Sequence, residues 1–273
     1  MLRRDFLKTS ALLASPAAPQ NAPRPNVALI LTSDRTVFDL LARDGIQFTR
    51  AYSVYPSPEP AKAALLSGCY PYAVRVGHSQ PAAAIPNFRF LSGAAINLDK
   101  AALAPDTLAI ATAAHGEFAD QPFENSGRAP LVIRYPRKLA AASNDALIST
   151  VDLMPTILGF CGLEIPRQIQ GRDLSKWISS GAGERPESVY CTGKRGTPDE
   201  WRMVIRGLDK LVVDKDLNAT HLYNLGSDPG EMDNLVHDKS QALTRDALEA
   251  LLGVWMRRTG DGVDPSGLRK RGL

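Results

Sequence analysis

The chain alternates between continuous apolar runs and amphipathic stretches. Val27-Ala28-Leu29-Ile30-Leu31 is an unbroken apolar run bounded by Pro25 and by the polar Thr32-Ser33-Asp34-Arg35, the pattern of a strand buried on both faces. Thr36 to Arg43 carries Val37, Leu40 and Leu41 at helical spacing, stops at Gly45, and is followed by a short strand at Ile46-Gln47-Phe48. Pro56 to Gly68 reads as an extended approach feeding a helix. Pro60 suits its first position, Ala61 to Leu66 are helix formers, and Gly68 is the stop. A helix end of this kind gathers backbone N–H groups, which suits an anion.

From Val74 to Leu98 no period is visible and the stretch reads as loop; Leu98 to Ala104 reads as helix. Leu108 to Thr112 is a second buried strand, with Ala113-Ala114-His115-Gly116-Glu117 at its carboxyl end, where α/β proteins place their chemistry. Pro130 to Tyr135 is a third strand. A helix over Thr150 to Phe160 accepts Pro155 near its start and ends at Gly162. Beyond Arg202 short strands at Met203 to Arg206, Lys210 to Val213 and Thr220 to Tyr223 predict an antiparallel meander closed by Asp228-Pro229-Gly230. The last helix, about Gln241 to Arg257, has Leu243, Leu248, Leu251, Leu252 and Trp255 on one stripe and a cap near Gly260. The pattern predicts an α/β fold, a mainly parallel sheet between helices, with a small C-terminal antiparallel sheet plus helix.

Composition narrows this little. A formal charge of +3, with basic residues scattered apart from Arg269 to Arg271, gives no argument for nucleic acid. Cys69, Cys161 and Cys191 have no metal-like spacing, and no disulfide is expected. At the N-terminus, Arg3-Arg4-Asp5-Phe6-Leu7-Lys8 followed by Thr9 to Ala14 resembles a twin-arginine export signal, which predicts a periplasmic or extracellular protein of bacterial type; a disordered basic tail is the alternative. Its apolar run is far below the roughly 20 residues of a membrane span. The expected organisation is a leader and linker over 1–22, an α/β domain over 23–186 and a C-terminal subdomain over 187–273.

Several stretches together resemble the sulfatase family of the alkaline-phosphatase superfamily. They are Arg24 to Asp34, Leu41 to Tyr52 with Ala63 to Pro71, Leu98 to Glu117, Val151 to Leu158 with Gln170 to Leu174, and Leu222 to Leu225 with Asp228 to Glu231 and Asn234-Leu235. The resemblance implies that family's fold and hydrolysis of aryl or carbohydrate sulfates. In the family a Cys or Ser in a Cys-x-Pro-Ser-Arg motif is oxidised to formylglycine and attacks sulfur, beside a calcium ion held by carboxylates.

Position by position, the chain departs from that pattern. Counting from the Ala63 to Gly68 anchor, Pro58 stands where the nucleophile falls, Pro60 keeps the motif proline, Ala61 replaces its serine and Lys62 its arginine. Ser57, one residue away, is either a displaced nucleophile or an ordinary turn serine. At the metal site Ser33 replaces the first aspartate, Asp34 retains the second, Ala114 replaces another and His115 occupies a ligand position. Such a set would hold calcium weakly; alternatively Asp34 caps the next helix and His115 is a loop residue. The long central section that carries a substrate lysine and histidine in the family is missing between about Pro86 and Leu98, the stretch between Thr32 and Asp39 is shortened, and no lysine precedes Phe123-Glu124. Three readings remain: a sulfatase acting on a sulfated small molecule or glycan, a pseudoenzyme binding a sulfated glycan or a protein partner, and a deleted gene product without function. Loss of turnover fits the residues best.

Overall fold

The computed structural model describes residues 24–73 and 81–269. The leader and linker over 1–22, residues 74–80 of the predicted loop, and Lys270-Arg271 lie outside them.

Two sheets organise the chain. The first has six strands: β1 (Asn26–Leu31), β2 (Ile46–Tyr52), β3 (Phe88–Ser92), β4 (Thr107–Thr112), β5 (Leu131–Arg134) and β6 (Ala142–Ser149), in the order β3-β1-β4-β5-β2-β6. Helix α1 (Arg35–Ala42) and helix α2 (Pro58–Ser67) follow β1 and β2; a four-residue α3 (Glu124–Gly127) precedes β5; α4 (Leu153–Phe160) and α5 (Ser175–Ser180) follow β6. The continuous apolar runs work because both faces are covered. Val27, Leu29, Leu108, Ile110, Leu131 and Ile133 pack with α4, while Ala28, Ile30, Ala109, Ala111 and Val132 pack with Val37, Phe38 and Leu41 of α1.

The second sheet is the antiparallel meander β7 (Ser188–Gly193), β8 (Trp201–Arg206), β9 (Asp209–Asp214) and β10 (Ala219–Asn224), covered by α6 (Ala242–Thr259). It is not packed in isolation. Tyr190, Val204 and Leu211 share a core with Leu248, Leu252 and Trp255 of α6, and with Val54, Ala64 and Tyr70 from the region of α2. Tyr52 and Leu147 likewise pack with Val189, Met203 and Val212.

Most of the predicted architecture is present, including the mixed sheet and the meander. Five details differ. The sheet is less parallel than the runs alone suggest: β5 lies antiparallel to both β2 and β4, although β1 is parallel to β3 and β4, and β2 to β6. Part of the stretch read as loop is β3, an edge strand held by pairing with β1. Leu98 to Ala104 forms turns, not a helix, because Asp99 caps the single turn through Ala102 N at 2.9 Å and Pro105 ends it at once. Helix α2 begins at Pro58, with Ser57 as its N-cap, so Pro60 is its third residue; all of its first-turn positions tolerate a missing N–H. Leu243 is 85% exposed, leaving Leu248, Leu252, Trp255 and Met256 as the buried stripe of α6.

Gly68, Asp152 and the segment 170–172, separate in sequence, meet in the fold. Asp152 accepts from Arg172 N at 2.8 Å and pairs with its guanidinium at 3.0 Å, while Gln170 N and Gly171 N donate to Gly68 O at 2.9 and 3.0 Å. Gly68, at φ +68°, thereby ends α2 and anchors the Gln170 segment.

Candidate functional site at the carboxyl edge of the first sheet

The loops that carry the candidate residues gather at the carboxyl edge of the first sheet. The ends of β1 and β4 are neighbours, Leu31 opposite Thr112, and Thr32 N donates to Thr112 O at 3.0 Å. The loop after β4 crosses to the turn before α2, where Asp120 N donates to Pro56 O at 2.8 Å, and Ser53 N donates to Gly127 O at 2.9 Å. Gly116 permits this crossing: a Cβ there would collide with the carbonyls of Asn125 and Arg128.

Within that frame the individual side chains are turned to local tasks. Asp34 is the N-cap of α1, its Oδ1 accepting from Thr36 N at 3.0 Å and Thr36 Oγ1 at 2.7 Å. The Thr36 hydroxyl, then the Thr36 amide, hold its carboxyl below the ordinary value. Ser33 is exposed. His115 is half-buried, with Nδ1 3.0 Å from Gly116 O. Ser57 is half-buried and its hydroxyl makes no capping bond. Lys62 lies with its ammonium 5.8 Å from the ring centre of Phe90 on β3. The fold therefore brings Ser33, Asp34, Ser57 and His115 to one edge, but among the described residues no hydrogen bond or ion pair joins these side chains to one another or to Lys62. Nor do any three His, Cys, Asp or Glu side chains among the described residues stand together as a metal site would require.

The start of α2 is a poorer anion site than its sequence suggests. Ser57 N is used by Tyr55 O at 2.7 Å and Ala61 N by Ser57 O at 2.9 Å. Pro58 and Pro60 have no N–H, so the first turn offers only Glu59 N, next to that residue's own carboxylate.

The edge also has a contributor that no local pattern announces. The β7–β8 hairpin comes from the second sheet and reaches the same place: Arg195 N donates to Tyr55 OH at 3.0 Å, Thr192 N to Val54 O at 3.0 Å, and Trp201 Nε1 to Asp120 O at 3.4 Å. A link of this kind joins residues about 140 positions apart in the chain and leaves no periodic signal. The three cysteines are all buried free thiols; burial pushes the Cys161 thiol up to about 11.

A mixed sheet with a small antiparallel sheet beside it is the architecture of the alkaline-phosphatase-like sulfatases. A solved structure in complex with its substrate D-glucosamine-2-N,6-O-disulfate superposes with a TM-score of 0.75 at 13% identity, covering 89% of this chain and 100% of that one. At that identity the likeness concerns the fold alone. Sequence carries the assignment further: residues 114–256 match the family described as N-sulphoglucosamine sulphohydrolase, C-terminal, and the chain belongs to this sulfatase family. It is similar to an endo-4-O-sulfatase of Bacteroides thetaiotaomicron, 27% identical over an alignment of 195 residues that covers 61% of this chain and 37% of that protein. An N-acetylglucosamine-6-O-sulfatase of the same organism is 30% identical over 152 residues, 48% of this chain and 25% of that protein. The matches thus span well under half the length of these relatives. No described helix is long and apolar enough to cross a membrane.

Proposed function

We propose that this chain derives from sulfatases acting on aryl or carbohydrate sulfates and itself turns over little or no sulfate ester. The observation that carries this reading is Pro58 as the first residue of α2, at the position where the nucleophile falls by resemblance. Proline has no side chain that can become an aldehyde. The donor set supports the same reading, because calcium takes six to eight oxygens with several negative charges. Asp34 is engaged by Thr36, Ser33 is a neutral hydroxyl and His115 an imidazole, so these residues do not fit that ion.

The relatives' names make a sulfated sugar the natural probe. The purified chain, incubated with an aryl sulfate and with a sulfated glucosamine in the presence of calcium, is expected to release no sulfate above a protein-free blank. It is likewise expected to retain no stoichiometric calcium after desalting. Calcium-dependent sulfate release that disappears in Ser57→Ala would overturn the proposal and make Ser57 the nucleophile. Export by the twin-arginine route is part of the same reading, resting on Arg3-Arg4; replacing both by lysine is expected to leave the chain in the cytoplasmic fraction of a bacterial host.

A further inference from the structure

The second sheet holds a buried cation. Lys210 of β9 has no exposed side-chain surface, and its Nζ lies 2.6 Å from Glu231 Oε1 and 3.3 Å from Glu124 Oε1. Glu231 Oε2 accepts from Glu124 N at 2.7 Å, and Glu124 Oε2 accepts from Tyr52 OH at 2.7 Å. Burial first, and the Glu124 charge second, push the Tyr52 hydroxyl well above its ordinary range, so it stays a donor. These groups come from four separate pieces of chain: the end of β2, the first residue of α3, the start of β9 and the turn after β10. Glu231 sits at φ +56°, a left-handed conformation unusual for a residue other than glycine, which persists where its surroundings over-determine it.

Burying an ammonium between two carboxylates is a costly way to fill space, and well-packed apolar side chains often do so with equal or greater stability. What the ions add is direction. Glu124 opens α3 in the loop that crosses to the Ser57 turn, and that loop is fastened at Asp120 to Pro56 and at Gly127 to Ser53. We propose that Lys210 is a positioning residue: by holding Glu124 and Glu231 together it fixes the 113–127 loop against the turn before α2, so the carboxyl edge takes its shape only with the second sheet docked.

The test is hydrogen exchange by mass spectrometry on the full chain, which needs no turnover and so stands apart from the catalytic reading. In Lys210→Met and in Glu231→Gln, amides in 116–127 and 53–61 are expected to exchange about tenfold faster or more, while those of β1 and β4 stay protected. Lys215→Met, which removes an exposed pair with Asp216, is the control and is expected to change neither. Urea unfolding of each variant separates local release from general loss of stability. If Lys210→Met does not fold, Glu231→Gln decides alone, since it leaves Lys210 with Glu124. Unchanged exchange in 116–127, or acceleration spread evenly over both sheets in proportion to lost global stability, would overturn the proposal.

Discussion

The carboxyl edge of the first sheet and the interior of the second treat their polar residues in opposite ways. At the edge each candidate group is served singly: Asp34 by Thr36, His115 by its neighbour's carbonyl, Lys62 by a ring, Ser33 by solvent. In the second sheet the ions are enclosed and shared. Arg202 and Asp261 both have no exposed side-chain surface and meet at 2.7 and 3.0 Å, Tyr190 OH donates to Asp261 Oδ2 at 2.8 Å, and Glu200 takes a further Arg202 bond at 2.6 Å. Burial alone would depress the Arg202 guanidinium, but the hydrogen bonds and charge of Asp261 more than offset it and hold it above the ordinary value. A solvent-facing ligand can be replaced at small cost to folding, whereas one member of a buried pair cannot be removed without stranding the other. On the function proposed above, that asymmetry lets a chain keep the architecture of its family while the chemistry of the edge changes.

The largest break in this contrast comes from stranding a buried charge. Asp261→Ala is expected to cost about 3–5 kcal/mol by removing the enclosed carboxylate that faces Arg202 and leaving that guanidinium to Glu200, read as a drop in the urea midpoint. A loss comparable to that of an edge substitution would erase the distinction between the two regions. Tyr190→Phe removes one enclosed bond to the same carboxylate and is expected to cost about 1.5–3 kcal/mol by the same measurement. Gly68→Ala asks an L residue to hold φ +68° with its Cβ 3.0 Å from Ile169 Cγ2, and should lower stability by about 1–2 kcal/mol.

Asp34→Ala is the smallest and sharpens the comparison from the other side. Because hydrogen bonds from Thr36 depress the folded carboxyl below its usual 3.8, its contribution is complete above that value and fades as pH falls through the folded pKa. The melting temperatures of the variant and the parent chain should differ slightly at pH 7 and converge in acid. A gap that persists at low pH would mean that the carboxylate's role is something other than capping α1.

The parts legible in the sequence are those decided within a few residues. The runs of β1 and β4, the stops at Gly68 and Gly260, the β8 to β10 hairpins and the core stripe of α6 follow from local periodicity and cap chemistry. So do the separated motifs that carry the sulfatase resemblance. The tertiary structure decided the rest. The polar first half of β6 and the edge position of β3 became strands only through the partners they pair with. The direction of β5 is a property of its neighbours. The Arg195 contact to Tyr55, the Arg202–Asp261 pair and the Lys210–Glu124 pair join residues between 59 and 140 positions apart. An enclosed charge and a solvated one are the same letter in a sequence, and only the fold determines which charges lose their water and must find each other.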